Sequence, residues 1–356
     1  MAAAAAGAAS PVVVAVDCNG ADLGPAEVAA GAALAAEGGV RSILFGPAGE
    51  LGRPPEGVEV VDAPVSIAKE SDPVRAARAT PQASIVQAAR AVADGRAQAL
   101  VCAGGTGAAL AAGTFNIKRA RGIYRPALAL PLPVPNAPVT LLDVGANAEA
   151  RREHLVQFAF MGAALVHSVL GVQRPRVGLL SNGEEEARGS ALVLEAHAEL
   201  SALARDGIDS FEFVGNVEGD HVVSGRADVV VTDGFTGNIA LKLIEGVSQA
   251  IIGGVRGAAR SSARGKAGGL LLRGALGSFR DEIDPEGQGG AYLLGLRRLG
   301  VVPHGRFTRR GFAQAIVRAG DGAREDVVGQ THAALHAAGA LKRAPLSAVD
   351  ASLPRT

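Results

Sequence analysis

The sequence of 356 residues contains no tryptophan and only two cysteines, Cys18 and Cys102. Two cysteines cannot build a disulfide framework, and they cannot supply the four ligands of a structural zinc site. No charge of one sign dominates, because 35 lysine and arginine residues balance 35 aspartate and glutamate residues. A net charge of zero argues against a protein that neutralises many phosphates of a nucleic acid. We therefore predict a globular intracellular protein with no nucleic-acid partner.

The sequence also lacks a run of about 20 strongly apolar residues, the length that a membrane-spanning helix needs. Its most apolar run, residues 155–172, carries Gln157 and His167 and predicts a buried helix instead. The N-terminal residues are mostly alanine and lack the basic start of a signal peptide. The predicted organisation is a disordered tail at 1–10, a single domain at 11–340 and a loose tail at 341–356.

Short β-branched runs alternate with longer alanine-rich segments along the chain. Residues 12–16 and 229–231 are continuous runs of valine and alanine, which are typical of parallel strands buried on both faces. Residues 84–93, which end just before Gly95, have the pattern of a helix. This alternation predicts the α/β class, as a three-layer α/β/α Rossmann-like sandwich with a mostly parallel sheet.

Several catalytic motifs are absent. There is no GxxxxGK[ST] phosphate loop, and the glycines at 105 and 107 are followed by Leu110 where a dinucleotide fingerprint has its third glycine. There is no GxSxG elbow and no HExxH, and the seven histidines lack metal-ligand spacing. We therefore expect neither a covalent serine mechanism nor a metal ion, and the sequence gives little support to a nicotinamide-dependent dehydrogenase.

Glycine-rich turns with polar side chains follow six of the predicted strands. Helix N-termini at such turns offer backbone N–H groups to an anion. Because ligands of open α/β sheets bind outside the carboxyl ends of the strands, we expect the six turns to converge on one crevice. The turns are residues 17–22, 103–107, 143–147, 182–186, 215–219 and 233–238.

The order and spacing of these turns resemble the PlsX phosphate acyltransferases of bacterial phospholipid synthesis, from about residue 12 to about residue 319. The most specific pieces are LDVGAN at 142–147 with EHLVQFA at 153–159, GEEE at 183–186, GNVEG at 215–219 and DGFTGN at 233–238.

The resemblance implies transfer of a fatty acyl group from acyl carrier protein to inorganic phosphate, giving an acyl phosphate. It also implies a fold related to the isopropylmalate dehydrogenases and phosphotransacetylases, a homodimer, and a cytoplasmic protein loosely attached to the inner membrane face. No cofactor is expected, since phosphate attacks a thioester directly when both reactants are held together and the oxyanion is stabilised.

Four residues are the predicted catalytic groups. Asn238 can donate amide hydrogens to the oxyanion, and Lys242 can supply a positive charge one helical turn further on. Asp233 can orient Lys242 or accept a hydrogen bond from phosphate, although capping the following helix is an equal alternative. His304 can protonate the leaving thiolate, because the reference pKa of histidine, about 6.5, suits general acid catalysis.

A second group of residues is predicted to bind the substrate or phosphate through backbone N–H groups, amides or carboxylates. For its acidic members the alternative is a solvated helix start or a cap of the following turn. The group comprises Gly104, Thr106, Gly107, Asp143, Asn147, Glu184, Glu185, Asn216, Gly234 and Gly237.

The sequence departs from the resembled family at several turns. The opening turn, usually Asp-Ala-Met-Gly-Gly-Asp in that family, has Cys18, Asn19 and Ala21 at three positions. The other departures are Gly105 in the second turn, Gln288 and Tyr292 in the late glycine motif, and Phe307 in place of a serine.

Residues 254–290 differ from the rest of the chain because they combine glycine, arginine and leucine. We predict a protruding helical segment whose apolar part, 268–283, contacts a membrane surface, with a dimer interface or ordinary core as the alternative. Acyl carrier proteins are acidic, so their docking site should be basic. The predicted docking residues are Arg264, Lys266, Arg273 and Arg280.

Two other functions remain open. A phosphate acetyl- or butyryltransferase that uses coenzyme A would share the fold and the chemistry. A non-catalytic paralogue that binds lipid or carrier protein would explain the departures at Asn19, Gly105 and Phe307.

Overall fold

The computed structural model of the protein describes residues 12–135 and 137–342, apart from the side chains of Leu276, Arg280 and Asp281. The predicted tail at 1–10 and all of the predicted tail at 341–356 beyond Lys342 lie outside the described residues. The strands are β1 (Val13–Asp17), β2 (Arg41–Gly46), β3 (Val58–Asp62), β4 (Ala99–Cys102), β5 (Ala127–Leu132), β6 (Val139–Leu142), β7 (Arg176–Leu180), β8 (Glu212–Val217), β9 (Val229–Val231), β10 (Ala291–Leu294) and β11 (Leu299–Val302).

Helices connect most of these strands. Three single-turn or irregular segments, a π-helix at Gly113–Ile117 and 3₁₀ turns at Asp220–Val223 and Pro285–Gln288, complete the connections. The α-helices are α1 (Pro25–Glu37), α2 (Ala48–Leu51), α3 (Pro73–Ala79), α4 (Ser84–Ala93), α5 (Thr106–Ala112), α6 (Arg152–Leu170), α7 (Ala191–Arg205), α8 (Gly234–Arg260), α9 (Ala263–Glu282), α10 (Arg309–Arg324) and α11 (Val327–Ala337).

The strands form one sheet in the order β3-β2-β1-β4-β11-β10-β5-β6-β9-β7-β8. The block from β3 to β11 is parallel, and so is the block from β6 to β8. Between the blocks, β10 pairs antiparallel with β11 and with β5, and β5 pairs antiparallel with β6. Because three successive antiparallel pairings separate them, the two parallel blocks run in opposite directions.

This inversion places the carboxyl ends of the two blocks at opposite edges of the sheet. We call the loops that follow β1, β4 and β11 the first edge, and those that follow β6, β7, β8 and β9 the second edge. The predicted convergence of all six glycine-rich turns is therefore wrong. The turns at 17–22 and 103–107 belong to the first edge, and the other four belong to the second.

The core lies on both faces of the sheet, because successive strand side chains point to opposite faces. Val14 and Val16 belong to one hydrophobic cluster, which includes residues of α1, α6, α7, α10 and α11. Ala15 belongs to a second cluster, which includes residues of α3, α4, α5 and the start of α8. Helices thus cover both faces, and the predicted three-layer α/β/α fold with a mostly parallel sheet is confirmed.

Helix α6 contains the most apolar run of the sequence. Within the described residues it is the one helix whose length and composition would allow it to cross a membrane, but 72% of its most apolar stretch is buried inside the protein. Every residue from His154 to Val166 is buried. The prediction of a buried helix in this run is confirmed.

Helices α8 and α9 form a hairpin that projects from the body of the protein. Helix α8 has 27 residues, yet only Gly234, Gly237 and Leu241 of them are buried. A helix of that length measures about 40 Å at 1.5 Å per residue. The segment predicted to protrude, 254–290, contains the outer end of α8 and the whole of α9.

Candidate active site

At the second edge, the carboxylate of Asp143 holds the turn between β6 and α6 together. Its Oδ1 accepts the backbone N–H groups of Leu128, Gly145 and Ala146 at 2.9–3.1 Å. Its Oδ2 accepts both the backbone N–H and the side-chain amide of Asn147 at 2.8 Å. Burial raises the pKa of Asp143, and the hydrogen bonds oppose that rise. With five donors already on it, Asp143 is placed as a structural acceptor.

The amides of Asn147 and Asn216, predicted to donate hydrogen bonds to substrate, are already engaged. The Nδ2 of Asn147 donates to the carbonyl of Pro126 and to Asp143. The Nδ2 of Asn216 donates to the carbonyls of Glu185 and Arg188 at 2.8 and 3.3 Å. Since a side-chain amide has only two N–H donors, neither residue has one left for a substrate in this conformation.

The N–H groups at the start of α8 are engaged as well. Asp233 caps the helix by accepting the N–H groups of Phe235 and Thr236. The N–H of Gly234 donates to Asn147, and that of Gly237 donates to the Asp233 carbonyl. The phosphate-binding N–H groups expected at Gly234 and Gly237 are therefore occupied, and Asp233 bonds its own helix rather than Lys242.

The two glycines of this turn allow α8 to approach the loop after β6. A Cβ on Gly237 would lie 1.9 Å from the carbonyl oxygen of Asp143, and a Cβ on Gly234 would lie 2.7 Å from that of Asn147. Real Cβ atoms cannot occupy such positions, so a side chain at either site would push the helix away. Close packing explains these glycines without a ligand.

Exposed polar groups of α8 follow directly after this packed turn. Asn238 lies beside Gly145, since a Cβ on that glycine would be 3.8 Å from the Asn238 Oδ1. Within the described part of the chain the Asn238 amide makes no hydrogen bond. Lys242, one turn on, pairs with Glu245 at 2.8 Å, and both side chains are partly or largely open to solvent. Glu245 is not among the site residues predicted from the sequence.

At the first edge, three loops meet through their glycines. A Cβ on Gly104 would lie 2.8 Å from the carbonyl oxygen of Gly20 and 3.0 Å from the Cα of Gly305. The N–H of Asp22 donates to the carbonyl of Gly305 at 2.8 Å. The loop that carries His304 therefore rests on the loops that follow β1 and β4.

The three residues predicted to bind substrate in the turn at 103–107 differ in their surroundings. The N–H of Gly104 donates to the carbonyl of Cys102, so it is engaged. Gly107 packs on Pro73, because a Cβ there would lie 2.9 Å from the proline Cγ. Thr106, the first residue of α5, is exposed and keeps its hydroxyl open to solvent.

His304 connects the two edges electrostatically. Its Nδ1 accepts the N–H of Arg306 at 3.2 Å, and its ring stacks on Phe307. Partial burial, followed by the positive charge of Arg306, lowers the pKa of His304, and the charges of Lys242 and Glu245 also act on it. The candidate site is therefore the surface between the His304 loop and the exposed polar groups of α8.

Glu184 and Glu185 lie elsewhere on the second edge. Glu184 pairs with His221 at 2.9 Å and approaches Arg226, while Glu185 approaches Arg188. The structure also brings together Glu218, Asp220 and His221, whose ligand atoms all lie within 4.8 Å of one another. The ion pairs of this region form a network of their own and none runs to Asn238 or Lys242.

The architecture is that of the phosphotransacetylases. A solved phosphotransacetylase from Streptococcus pyogenes superposes with a TM-score of 0.59 at 17% identity, covering 89% of this chain and 95% of that one. This likeness supports the fold.

Sequence comparison identifies the family. Residues 12–330 match the family described as "Fatty acid synthesis protein", and the chain belongs to that family. A phosphate acyltransferase of Nitratidesulfovibrio vulgaris (strain DP4) is 42% identical over 312 residues, which cover 85% of this chain and 89% of the relative. A phosphate acyltransferase of Enterococcus faecalis is 41% identical over 301 residues, which cover 82% of this chain and 89% of the relative. The resemblance to the phosphate acyltransferases found in the turn motifs is confirmed.

The buried carboxylate of Asp17, at the end of β1, generates a prediction about pH. Burial raises its pKa from 3.8 to about 6, so the folded protein holds a proton on Asp17 that the unfolded chain releases. The free energy of unfolding should therefore fall as the pH rises from about 4 to about 6, by about 3 kcal/mol at most, and then level off. In Asp17→Asn this contribution disappears. Urea unfolding between pH 4.5 and 8 measures it.

The control is Asp94→Asn, which removes an exposed carboxylate from the end of α4. An Asp17→Asn variant whose stability follows the same pH slope as the wild type would show that Asp17 does not titrate in this window.

Proposed function

We propose that this protein transfers a fatty acyl group from the thioester of acyl carrier protein to inorganic phosphate, giving an acyl phosphate for phospholipid synthesis. The observation that carries the proposal is the family match over residues 12–330. Relatives about 40% identical over most of the chain are named phosphate acyltransferases, which supports acyl transfer as the reaction. The protein is thus an acyltransferase of lipid synthesis, and the carrier-protein donor is the finer part of the proposal.

The reaction balances without a cofactor. An oxygen of hydrogen phosphate attacks the carbonyl carbon of the thioester, so a C–O bond forms and an oxyanion develops. Collapse of the tetrahedral intermediate breaks the C–S bond. The proton of hydrogen phosphate ends on the sulfur, giving the free thiol and the acyl phosphate. The protein has to position phosphate and thioester and to stabilise the oxyanion.

Asn238 and Lys242 suit these tasks because their polar groups face solvent at the base of α8. We assign the Asn238 amide to the oxyanion, since it has free donors where Asn147 and Asn216 have none. We assign Lys242 to phosphate as a positive charge that can exchange Glu245 for the ligand, because an exposed ion pair contributes little on its own.

His304 fits a role different from the proton donor expected from sequence. Its Nδ1 accepts an N–H, so the proton of the neutral ring belongs on Nε2. Its lowered pKa favours that neutral form near pH 7. We propose that the Nε2–H donates a hydrogen bond to the leaving sulfur, while hydrogen phosphate supplies the proton that the thiol gains.

Substitutions at these positions test the catalytic assignment. Asn238→Ala should lower kcat by about 100- to 1,000-fold, the usual effect of removing an oxyanion donor, whereas Lys242→Gln should mainly raise the KM for phosphate. His304→Gln should retain more activity than His304→Ala, because glutamine still offers an N–H donor. The assay follows phosphate-dependent release of the carrier thiol from palmitoyl-loaded carrier protein, with hydroxylamine-reactive acyl phosphate as the second product.

Lys118→Gln serves as the control, since it removes an exposed lysine from a loop after the π-helix. Equal activity of His304→Gln and His304→Ala would remove the hydrogen-bond role. Turnover of acetyl- or butyryl-coenzyme A without turnover of the loaded carrier would favour the coenzyme A transferase. Binding of the carrier without turnover of any thioester would favour the non-catalytic paralogue.

A homodimer is the second part of the proposal, and the exposed face of α8 supports it. Large apolar side chains recur along this helix at every fourth position, Phe235, Ile239, Leu243, Val247 and Ile251, and all are 49–64% exposed. We call this line of residues the α8 stripe. A continuous apolar stripe of this kind is typical of a helix–helix interface, and we propose that a second copy of the chain covers it.

The double variant Leu243→Glu, Ile251→Glu should therefore convert the dimer to a monomer, because two buried charges would be left unpaired in the interface. Sedimentation velocity measures the change. Leu34→Glu, at an exposed leucine of α1, is the matched control. If wild type and double variant sediment alike, the α8 stripe is not the dimer interface.

The outer part of the hairpin suits two further contacts. Leu270, Leu271 and Leu272 are 56–86% exposed, and we propose that they attach the cytoplasmic protein to the inner membrane face. Arg264, Lys266 and Arg273 are exposed beside them, and we propose that they dock the acidic carrier protein. The side chain of Arg280, the fourth predicted docking residue, lies outside the described residues.

Two variants separate these contacts. Leu271→Ser should weaken cosedimentation with vesicles containing anionic lipid and leave the KM for carrier protein unchanged, because it removes apolar area only. Arg273→Glu should raise that KM several-fold by charge repulsion. A KM unaffected by Arg273→Glu would exclude docking at this residue, and full vesicle binding by Leu271→Ser would exclude the leucines as the attachment.

A further inference from the structure

Three buried polar side chains form a connected network beneath the loops of the first edge. The hydroxyl of Ser84 donates to Asp17 Oδ1 at 2.6 Å. The amide of Asn19 donates to Ser84 Oγ at 2.9 Å. Each of the three residues is at least 92% buried, and so these hydrogen bonds are shielded from water.

The network joins the ends of several elements. Asp17 is the last residue of β1, and its Oδ2 accepts the thiol of Cys102, the last residue of β4, at 3.3 Å. Ser84 is the first residue of α4. The second amide hydrogen of Asn19 reaches the carbonyl of Ala63, just after β3, at 3.0 Å. Asn19 therefore ties the loop after β1 to two neighbouring elements at once.

The residues that follow Asn19 in the loop after β1 contact the loop that contains His304. Gly20 has a φ of 119° and touches the loop after β4, since a Cβ there would lie 2.4 Å from the carbonyl oxygen of Ala103. The N–H of Asp22 bonds the carbonyl of Gly305, the neighbour of His304. A movement of the loop that contains Asn19 would therefore also move His304, through the packing of Gly20 and the hydrogen bond from Asp22 to Gly305.

The link depends on the chemistry of the side chain at position 19. Both amide hydrogens of Asn19 are used, one on Ser84 and one on Ala63. Methionine, the usual residue of the resembled family at this point, has no donor and would leave both acceptors without this partner. The departure at Asn19 therefore adds two directional bonds rather than filling space.

We propose that Asn19 is a positioning residue, which holds the loop after β1 through Ser84 and Ala63 so that His304 is aimed at the reacting thioester. The proposal rests on the proposed function, because His304 acts in that reaction. Asn19 touches no substrate in this scheme and acts only through the two loops above it.

The test compares Asn19→Met and Ser84→Ala with the control Ile85→Val. Asn19→Met and Ser84→Ala, the two network variants, each remove one partner of the Asn19–Ser84 hydrogen bond. The control removes one methyl group from Ile85, a buried apolar residue next to Ser84 on α4. The network variants should lower kcat by about 10- to 100-fold, the range that a misplaced group produces, with the KM for the loaded carrier unchanged. The control should keep the wild-type kcat.

Hydrogen exchange supplies a readout that does not depend on turnover. The Asp22 N–H, which bonds Gly305, should lose protection in Asn19→Met and Ser84→Ala and retain it in Ile85→Val. Unchanged protection and unchanged kcat in both network variants would overturn the positioning role. If the wild type turns over no thioester with phosphate, the proposed function fails. The exchange result then still shows whether Asn19 orders the His304 loop.

Discussion

The antiparallel pairing of β5 with β6 and of β10 with its two neighbours governs where every functional loop can lie. These pairings reverse the strand direction between the two parallel blocks, so the glycine-rich turns of the two blocks lie at opposite edges of the sheet. A site that uses both sets of turns must be bridged by another element. In the proposed site helix α8 would be that bridge, because Asn238 lies beside the second-edge residue Gly145 and the charges of Lys242 and Glu245 influence His304 of the first edge.

Each block carries one buried carboxylate near the carboxyl end of a strand, Asp17 as the last residue of β1 and Asp143 just after β6. Burial raises the pKa of both, and hydrogen bonds from the neighbouring turn offset part of that cost. The carboxylates consequently order the turns in which they sit. Because buried polar groups must be paired, donors near them are consumed by the fold, and this explains why Asn147 serves Asp143 rather than a ligand.

The sequence predicted the fold class because continuous apolar runs, typical of buried parallel strands, alternate with helical segments. The valine runs of β1 and β9 and the helix α4 lie within a residue of their expected positions. It could not predict the reversal, because strand direction depends on which strands pair in the folded sheet, and β10 and β11 lie next to the glycine-rich hairpin. It singled out polar residues in the turns, but whether their donors are already engaged is a tertiary property. Asn216 and Asn238 both lie in glycine-rich turns of the sequence, but Asn216 is buried with both amide donors engaged, whereas Asn238 is exposed on α8.

The surviving candidate groups share a physical property that the excluded ones lack. Within the described residues, the Asn238 amide has no hydrogen-bond partner, Lys242 has only a surface ion pair, and His304 uses Nδ1 and not Nε2. Groups of this kind can accept a ligand as partner without breaking the fold. Asn238 and Lys242 also lie in the part of α8 where the α8 stripe begins. A second copy on that stripe would therefore remove water from one side of the site and strengthen the same electrostatic interactions.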